Sequence, residues 1–172
     1  MKKIAVVLTD MFEDVEYTSP AKELQDAGHE LVTVEKEKGN VVTGLQGEAK
    51  VTIDASINDV KSEDFDALMI PGGFSPDKLR ADDRFVAFAR AFMDAKKPVL
   101  TLCHGPQLLI TAKTLDGRKA TGFKSIQVNL TNAGVDFVDE EVVNCSDQLV
   151  TSRGPDDLPA FNKEPLAVLK KV

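Results

Sequence analysis

Cys103 and His104 stand together at the end of an apolar run, Pro98-Val99-Leu100-Thr101-Leu102, and are followed by Gly105-Pro106-Gln107. A thiolate attacks carbonyl carbon, and an imidazole moves protons near neutral pH. The apolar run reads as a buried strand. Gly105 permits a sharp turn, and Pro106 suits the first position of a helix. The expected local structure is a cysteine nucleophile elbow, with helix N–H groups facing the sulfur and favouring its thiolate. A free cysteine closing a core strand is also a small buried hydrophobe. These residues by themselves leave both readings open.

The rest of the residue inventory narrows the chemistry. The chain has two cysteines, Cys103 and Cys145, and two histidines, His29 and His104. No CxxC pair occurs, so neither a zinc site nor a thioredoxin-like site is expected, and no metal or cofactor is called for. The net charge is −7 with no basic cluster, which argues against nucleic-acid binding. Neither GxxxxGK nor GxGxxG occurs, so Gly72-Gly73 is not a phosphate loop. No apolar run is long enough to span a membrane. The run Ile4 to Leu8 ends at Thr9-Asp10 without a small-residue cleavage site, so a cytoplasmic protein is expected. At 172 residues, 42% apolar and 28% charged, the chain fits one domain over 1–172.

The elements that must position Cys103 alternate between short apolar runs and helical periods, the signature of an α/β fold with a mostly parallel sheet. Strands are expected over 3–9, 29–34, 66–70 and 99–102, with a late pair over 141–144 and 148–152. Helices are expected over 14–27, from Asp82 through Met93, over 106–113 and 125–133, and around Leu158 to Leu169. Gly28 and Gly134 suit helix C-termini, and Asp82 suits an N-cap. The glycines at 39, 44 and 47 flank a hairpin or small side sheet, and 71–76 reads as a loop. The Phe85, Phe88, Phe92 stripe reads as core. His29 is expected at a helix–strand junction and Cys145 in a late strand. Ligands bind beyond the carboxyl ends of parallel strands, which would bring 10–16, Gly72-Gly73 and Cys103-His104 to one pocket.

Phe12-Glu13-Asp14-Val15-Glu16 with Pro20, Ile70-Pro71-Gly72-Gly73, Cys103-His104-Gly105-Pro106-Gln107, Asn132-Ala133-Gly134 and Thr151-Ser152-Arg153 with Pro155-Asp156-Asp157-Leu158 resemble the ThiJ/PfpI superfamily. The similarity is to its PfpI-type branch of intracellular proteases and general stress proteins, and it spans nearly the whole chain. The resemblance implies a flavodoxin-like three-layer sandwich and a homodimer or higher homo-oligomer. It makes Cys103 the nucleophile on a strained elbow and Glu16 its carboxyl partner. It places the oxyanion hole at the backbone amides of Gly73 and His104. It assigns His104 to a triad completed by an acid of a neighbouring subunit, which falls on Asp77, where the protease branch has glutamate.

A carboxylate beside a thiolate is repelled by it, so Glu16 should be protonated and donate a hydrogen bond. Glu13 and Asp14 read instead as solvated helix-start carboxylates. Neighbouring side chains at a sharp turn tend to point apart, which argues against direct transfer between Cys103 and His104. Arg153 is expected to form a structural ion pair.

The implied function is a cysteine-dependent stress-response hydrolase or lyase acting on small-molecule or peptide carbonyls. Glyoxalase or deglycase chemistry is favoured, within a protease/amidase family. The alternative is an oxidative-stress sensor or chaperone in which Cys103 becomes a sulfinic acid held by Glu16. A class I glutamine amidotransferase fails on the residues, because it needs a His-x-Glu pair downstream and no histidine follows His104.

Overall fold

The runs at Lys3–Val7, Ala67–Ile70 and Val99–Leu102 lack polar alternation because both their faces are covered. The computed structural model describes residues 1–172. In chain order, β1 (Lys3–Val7) is followed by α1 (Asp14–Asp26), β2 (Glu30–Glu35), β3 (Val41–Thr43), β4 (Lys50–Thr52) and β5 (Ala55–Ser56). Then come β6 (Ala67–Ile70), α2 (Ser75–Leu79), α3 (Asp83–Asp94), β7 (Val99–Leu102) and α4 (Pro106–Thr111). The chain ends with β8 (Lys119–Ala120), α5 (Gln127–Asn132), β9 (Asp136–Phe137), β10 (Val143–Cys145), β11 (Leu149–Ser152) and α6 (Leu158–Leu169).

The central sheet runs β10-β11-β7-β6-β1-β2-β5. Every neighbouring pair is parallel except β10–β11. Alternate residues of the strands feed two cores. Ala5, Val7, Leu68, Ile70 and Leu149 pack toward α3, α4 and α5. Ile4, Val6, Met69, Leu100 and Val150 pack toward α1, α6 and the antiparallel β3–β4 hairpin. This is the expected three-layer flavodoxin-like arrangement. No helix is long and apolar enough to cross a membrane.

Local signals set most boundaries. The Asp82 carboxylate accepts the N–H of Arg84 at 3.0 Å and caps α3. Phe85, Phe88 and Phe92 of that helix are buried, and Phe65 and Phe88 meet edge to face. Gly28 has φ +91° just past α1, a backbone angle that suits glycine at a helix C-terminus. Helix α1 begins at Asp14, with Pro20 inside it.

Some elements differ from the reading of the sequence. The loop expected over 71–76 turns helical at Ser75, where Ser75-Pro76 opens α2, too short to show a period. The helix expected over 125–133 is α5 preceded by a 3-10 turn over Lys124–Ile126. Strands β5, β8 and β9 have two residues each, below the length at which alternation is visible.

The chain passes from β1 to β2 on one side and later to β6 on the other, so the order reverses beside β1. The loops after β1, β6 and β7 therefore lie side by side at the carboxyl edge, where such sheets bind ligands. Phe12 and Gly73 form a bridge, Glu13 N–H donates to Gly72 O at 3.1 Å, and Phe74 N–H donates to Met11 O at 2.9 Å.

Candidate active site

Three residues make the elbow after β7. Thr101 donates its hydroxyl to Ile70 O at 2.8 Å. A Cβ on residue 105 would collide with that hydroxyl, so glycine is required there. Between them, Cys103 has φ +58°, in the left-handed region that disfavours a residue with a side chain. Its N–H donates to Ser152 O at 3.0 Å, and its carbonyl accepts from Phe123 N–H at 2.9 Å. The strain is thus held by neighbouring segments on both sides.

Glu16 reaches this elbow from the first turn of α1 and is fully buried. Its Oε1 accepts the N–H of Gly72 at 2.9 Å, while Oε2 has no hydrogen-bond partner. A Cβ on Gly72 would strike Oε1 and crowd Cys103 Cβ, so only glycine lets carboxyl and thiol approach. Burial pushes the Glu16 pKa up to about 8, against the pull of the Gly72 N–H. At that value the Glu16 carboxyl keeps its proton at neutral pH.

The surroundings of the thiol pull in two directions. Burial pushes Cys103 upward, and Glu16 adds to it only where its own carboxyl is ionised, above about pH 8, while the N–H groups of His104 and Gly73 pull the thiol down. Helix α4 has six residues, and its start does not by itself make a thiolate. The backbone N–H groups of Gly73 and His104 both act on the Cys103 sulfur. Gly73 has φ +80°, and a Cβ there would press on Met11 O and Glu13 N.

One correction concerns His104. Its Nδ1 lies 3.3 Å from Cys103 Sγ, so the two side chains meet rather than point apart. The left-handed backbone at Cys103 changes the sense of the turn and brings both to one side. Burial holds His104 below the ordinary histidine range, opposed by the charge of Asp77 of the same chain. Asp77 is exposed on α2 and makes no hydrogen bond to the ring. Asp14, expected in solvent, is instead buried and accepts the N–H groups of Gln46, Glu48 and Ala49 at 2.8, 3.0 and 2.7 Å.

His29 and Cys145 lie away from the elbow. Lys2 N–H donates to His29 Nδ1 at 3.0 Å at the junction of α1 and β2. Arg118 Nε donates to Cys145 Sγ at 3.3 Å on β10. Arg153 forms ion pairs with Asp157 at 2.9 Å and Asp139 at 3.1 Å, the structural role expected of it. No three His, Cys, Asp or Glu side chains cluster as metal ligands. Phe123 and Ser125, which both touch the His104 ring, carry no sequence signal that marks them.

Comparison with known proteins gives this site its relatives. The profile of the DJ-1/PfpI family matches residues 2–168. General stress protein 18 of Bacillus subtilis (strain 168) is 71% identical over 99% of both chains. Protein/nucleic acid deglycase 2 of Escherichia coli (strain K12) is 59% identical over 98% of both. A crystal structure of a two-domain protein from Anabaena variabilis, with DJ-1/ThiJ/PfpI-like and ferritin-like domains, superposes with a TM-score of 0.95 at 36% identity. That match covers 99% of this chain and 48% of the other.

Proposed function

The chain belongs to the DJ-1/PfpI family, and from that footing we propose that it is a cysteine-dependent enzyme acting on small carbonyl compounds or carbonyl adducts of amines. The observation that carries this is the strained Cys103, with the His104 ring, the buried acid Glu16 and two backbone N–H groups all gathered at its sulfur.

Burial favours the protonated form of Cys103. When a carbonyl carbon approaches, the S–H bond breaks and the proton passes to His104 Nδ1. The sulfur keeps the electron pair and forms the C–S bond, and the C=O π pair moves onto oxygen. The N–H groups of Gly73 and His104 hold that oxyanion, the interaction that grows most in such a step. Glu16, protonated below about pH 8, donates into the same site and adds no second negative charge beside the sulfur. The name of the Escherichia coli relative, 59% identical, supports deglycase chemistry, while a Bacillus subtilis relative, 57% identical, is named a putative cysteine protease and keeps amide hydrolysis as the competing activity.

The test is methylglyoxal consumption and peptide-amide turnover by wild type and Cys103→Ala. Dicarbonyl turnover that disappears in the variant is expected. Turnover of the amide alone would replace deglycase with protease chemistry. The unpartnered Oε2 of Glu16 favours a second reading, in which two equivalents of peroxide convert Cys103 to a sulfinic acid that takes a hydrogen bond from Glu16. Intact mass after mild peroxide, with no turnover of either substrate, would select it.

A further inference from the structure

The His104 ring is gripped by one short segment. Nε2 lies 3.3 Å from Ser125 Oγ. The Phe123 ring stacks on the imidazole, with centroids 4.8 Å apart and planes 29° from parallel. The segment is itself anchored: Thr121 N–H donates to Thr151 Oγ1 at 2.9 Å, in a buried position, and Phe123 N–H donates to Cys103 O at 2.9 Å. What holds the ring is therefore tied to the backbone of the nucleophile.

A neutral imidazole carries its proton on one nitrogen and accepts on the other. For Nδ1 to take the thiol proton it must be bare, so the proton must sit on Nε2 and needs an acceptor there. Ser125 Oγ is the group in place, and a hydroxyl oxygen accepts readily. The stack on Phe123 fixes the plane in which both contacts are made.

We infer that Ser125 is a positioning residue: it accepts from His104 Nε2–H, fixes the tautomer whose Nδ1 faces Cys103 Sγ, and completes a Cys103–His104–Ser125 relay within one chain. The inference rests on Cys103 being the nucleophile. In the relay the S–H bond breaks and an N–H bond forms at Nδ1, with the electron pair left on sulfur. The Nε2 proton stays on nitrogen, and its bond to Ser125 strengthens as the ring becomes cationic. The Nε2–Ser125 contact, at 3.3 Å, is long for a resting site and tightens when the ring charges. The Asp77 of the same chain acts on the ring through its charge and makes no hydrogen bond to it.

The composition makes the tautomer measurable. With two histidines in the chain, long-range ¹H–¹⁵N spectra of the labelled protein show two rings. His29 is an internal reference, because its Nδ1 accepts from Lys2 N–H and its proton must lie on Nε2. His104 is expected to show the same pattern, to lose it in Ser125→Ala and to keep it in Ser125→Thr. In parallel, iodoacetamide alkylation of Cys103 at pH 7, separated from Cys145 by peptide mass, should slow about 3–10-fold in Ser125→Ala. It should stay within about twofold of wild type in Ser125→Thr. A wild-type His104 protonated on Nδ1, or a Ser125→Ala variant unchanged in tautomer and rate, overturns the relay with Cys103 chemistry intact. A Cys103 alkylation rate indifferent to His104→Gln overturns it by a separate route, through failure of the nucleophile reading.

Discussion

Asp14 and Glu16 lie two residues apart in the first turn of α1 and are both buried, yet they hold their protons in opposite ways. Burial pushes both acids upward. At Asp14 the N–H groups of Gln46, Ala49 and Glu48 outweigh it, and the carboxyl is held below the ordinary aspartate range. At Glu16 one N–H, from Gly72, is too little, and the carboxyl rises to about 8. Depth and donors together separate a charged structural carboxylate from a neutral chemical one: Glu16 lies much deeper in the protein and has one N–H donor where Asp14 has three. Asp14 faces the β3–β4 hairpin and pins its loop. Glu16 faces the elbow, with one oxygen unpartnered for chemistry.

Two substitutions, giving three effects, can break that contrast. The largest effect is expected in turnover: Glu16→Gln should lower kcat about 10²–10³-fold, because an amide donates a hydrogen bond but no proton. An activity within threefold of wild type would return Glu16 to packing. Next in size, Asp14→Ala strands three buried N–H groups and should cost about 2–4 kcal/mol in urea unfolding. Its turnover per folded molecule should be nearly unchanged, the converse of Glu16→Gln.

The third effect is in pH dependence, and the two signs differ. Glu16 binds its proton more tightly folded than unfolded, so folding stability falls as pH rises from the unfolded carboxylate value through about 8. Glu16→Gln removes that slope and should stabilise the protein by about 2–3 kcal/mol at pH 9 and by little at pH 4, since water drawn in by the carboxylate trims the full linkage. Asp14 is the reverse: its contribution is present above the unfolded aspartate value and is lost as pH falls through its lowered folded value. Unfolding curves for wild type and both variants from pH 3 to 9 would show the lines crossing.

This contrast also marks where reading the sequence stops. The strands that build the sheet are visible as apolar runs, and Gly28, Asp82 and Gly134 mark helix ends through backbone chemistry local to each residue. Glu16 is visible only through the family resemblance, and Asp14 was misread as solvated because its partners lie 32 to 35 residues away. The His104 contact was missed because it depends on the left-handed angle at Cys103, which the residue type argues against. Ser125 and Phe123 belong to a segment whose register against the elbow is set by Thr151 and Cys103, both remote in sequence. What was legible is local; what was not is the pairing of distant loops at one sheet edge.

Asp77 extends the comparison to a third carboxylate, exposed and without a hydrogen bond to the ring it influences. A charge acting through solvent is weak and screened by salt. Asp77→Asn should therefore lower the His104 titration midpoint by only a fraction of a pH unit, and 1 M salt should abolish the difference. The sign follows from the negative charge, which favours the imidazolium and is removed by the substitution. The His104 resonance, followed against pH with His29 as reference, measures it directly. If Asp77 instead completed a triad across a subunit interface, the change would be larger, resist salt and grow with protein concentration. A small, screened and concentration-independent change would leave Ser125 as the group that orients His104, and Asp77 as a distant charge that tunes it.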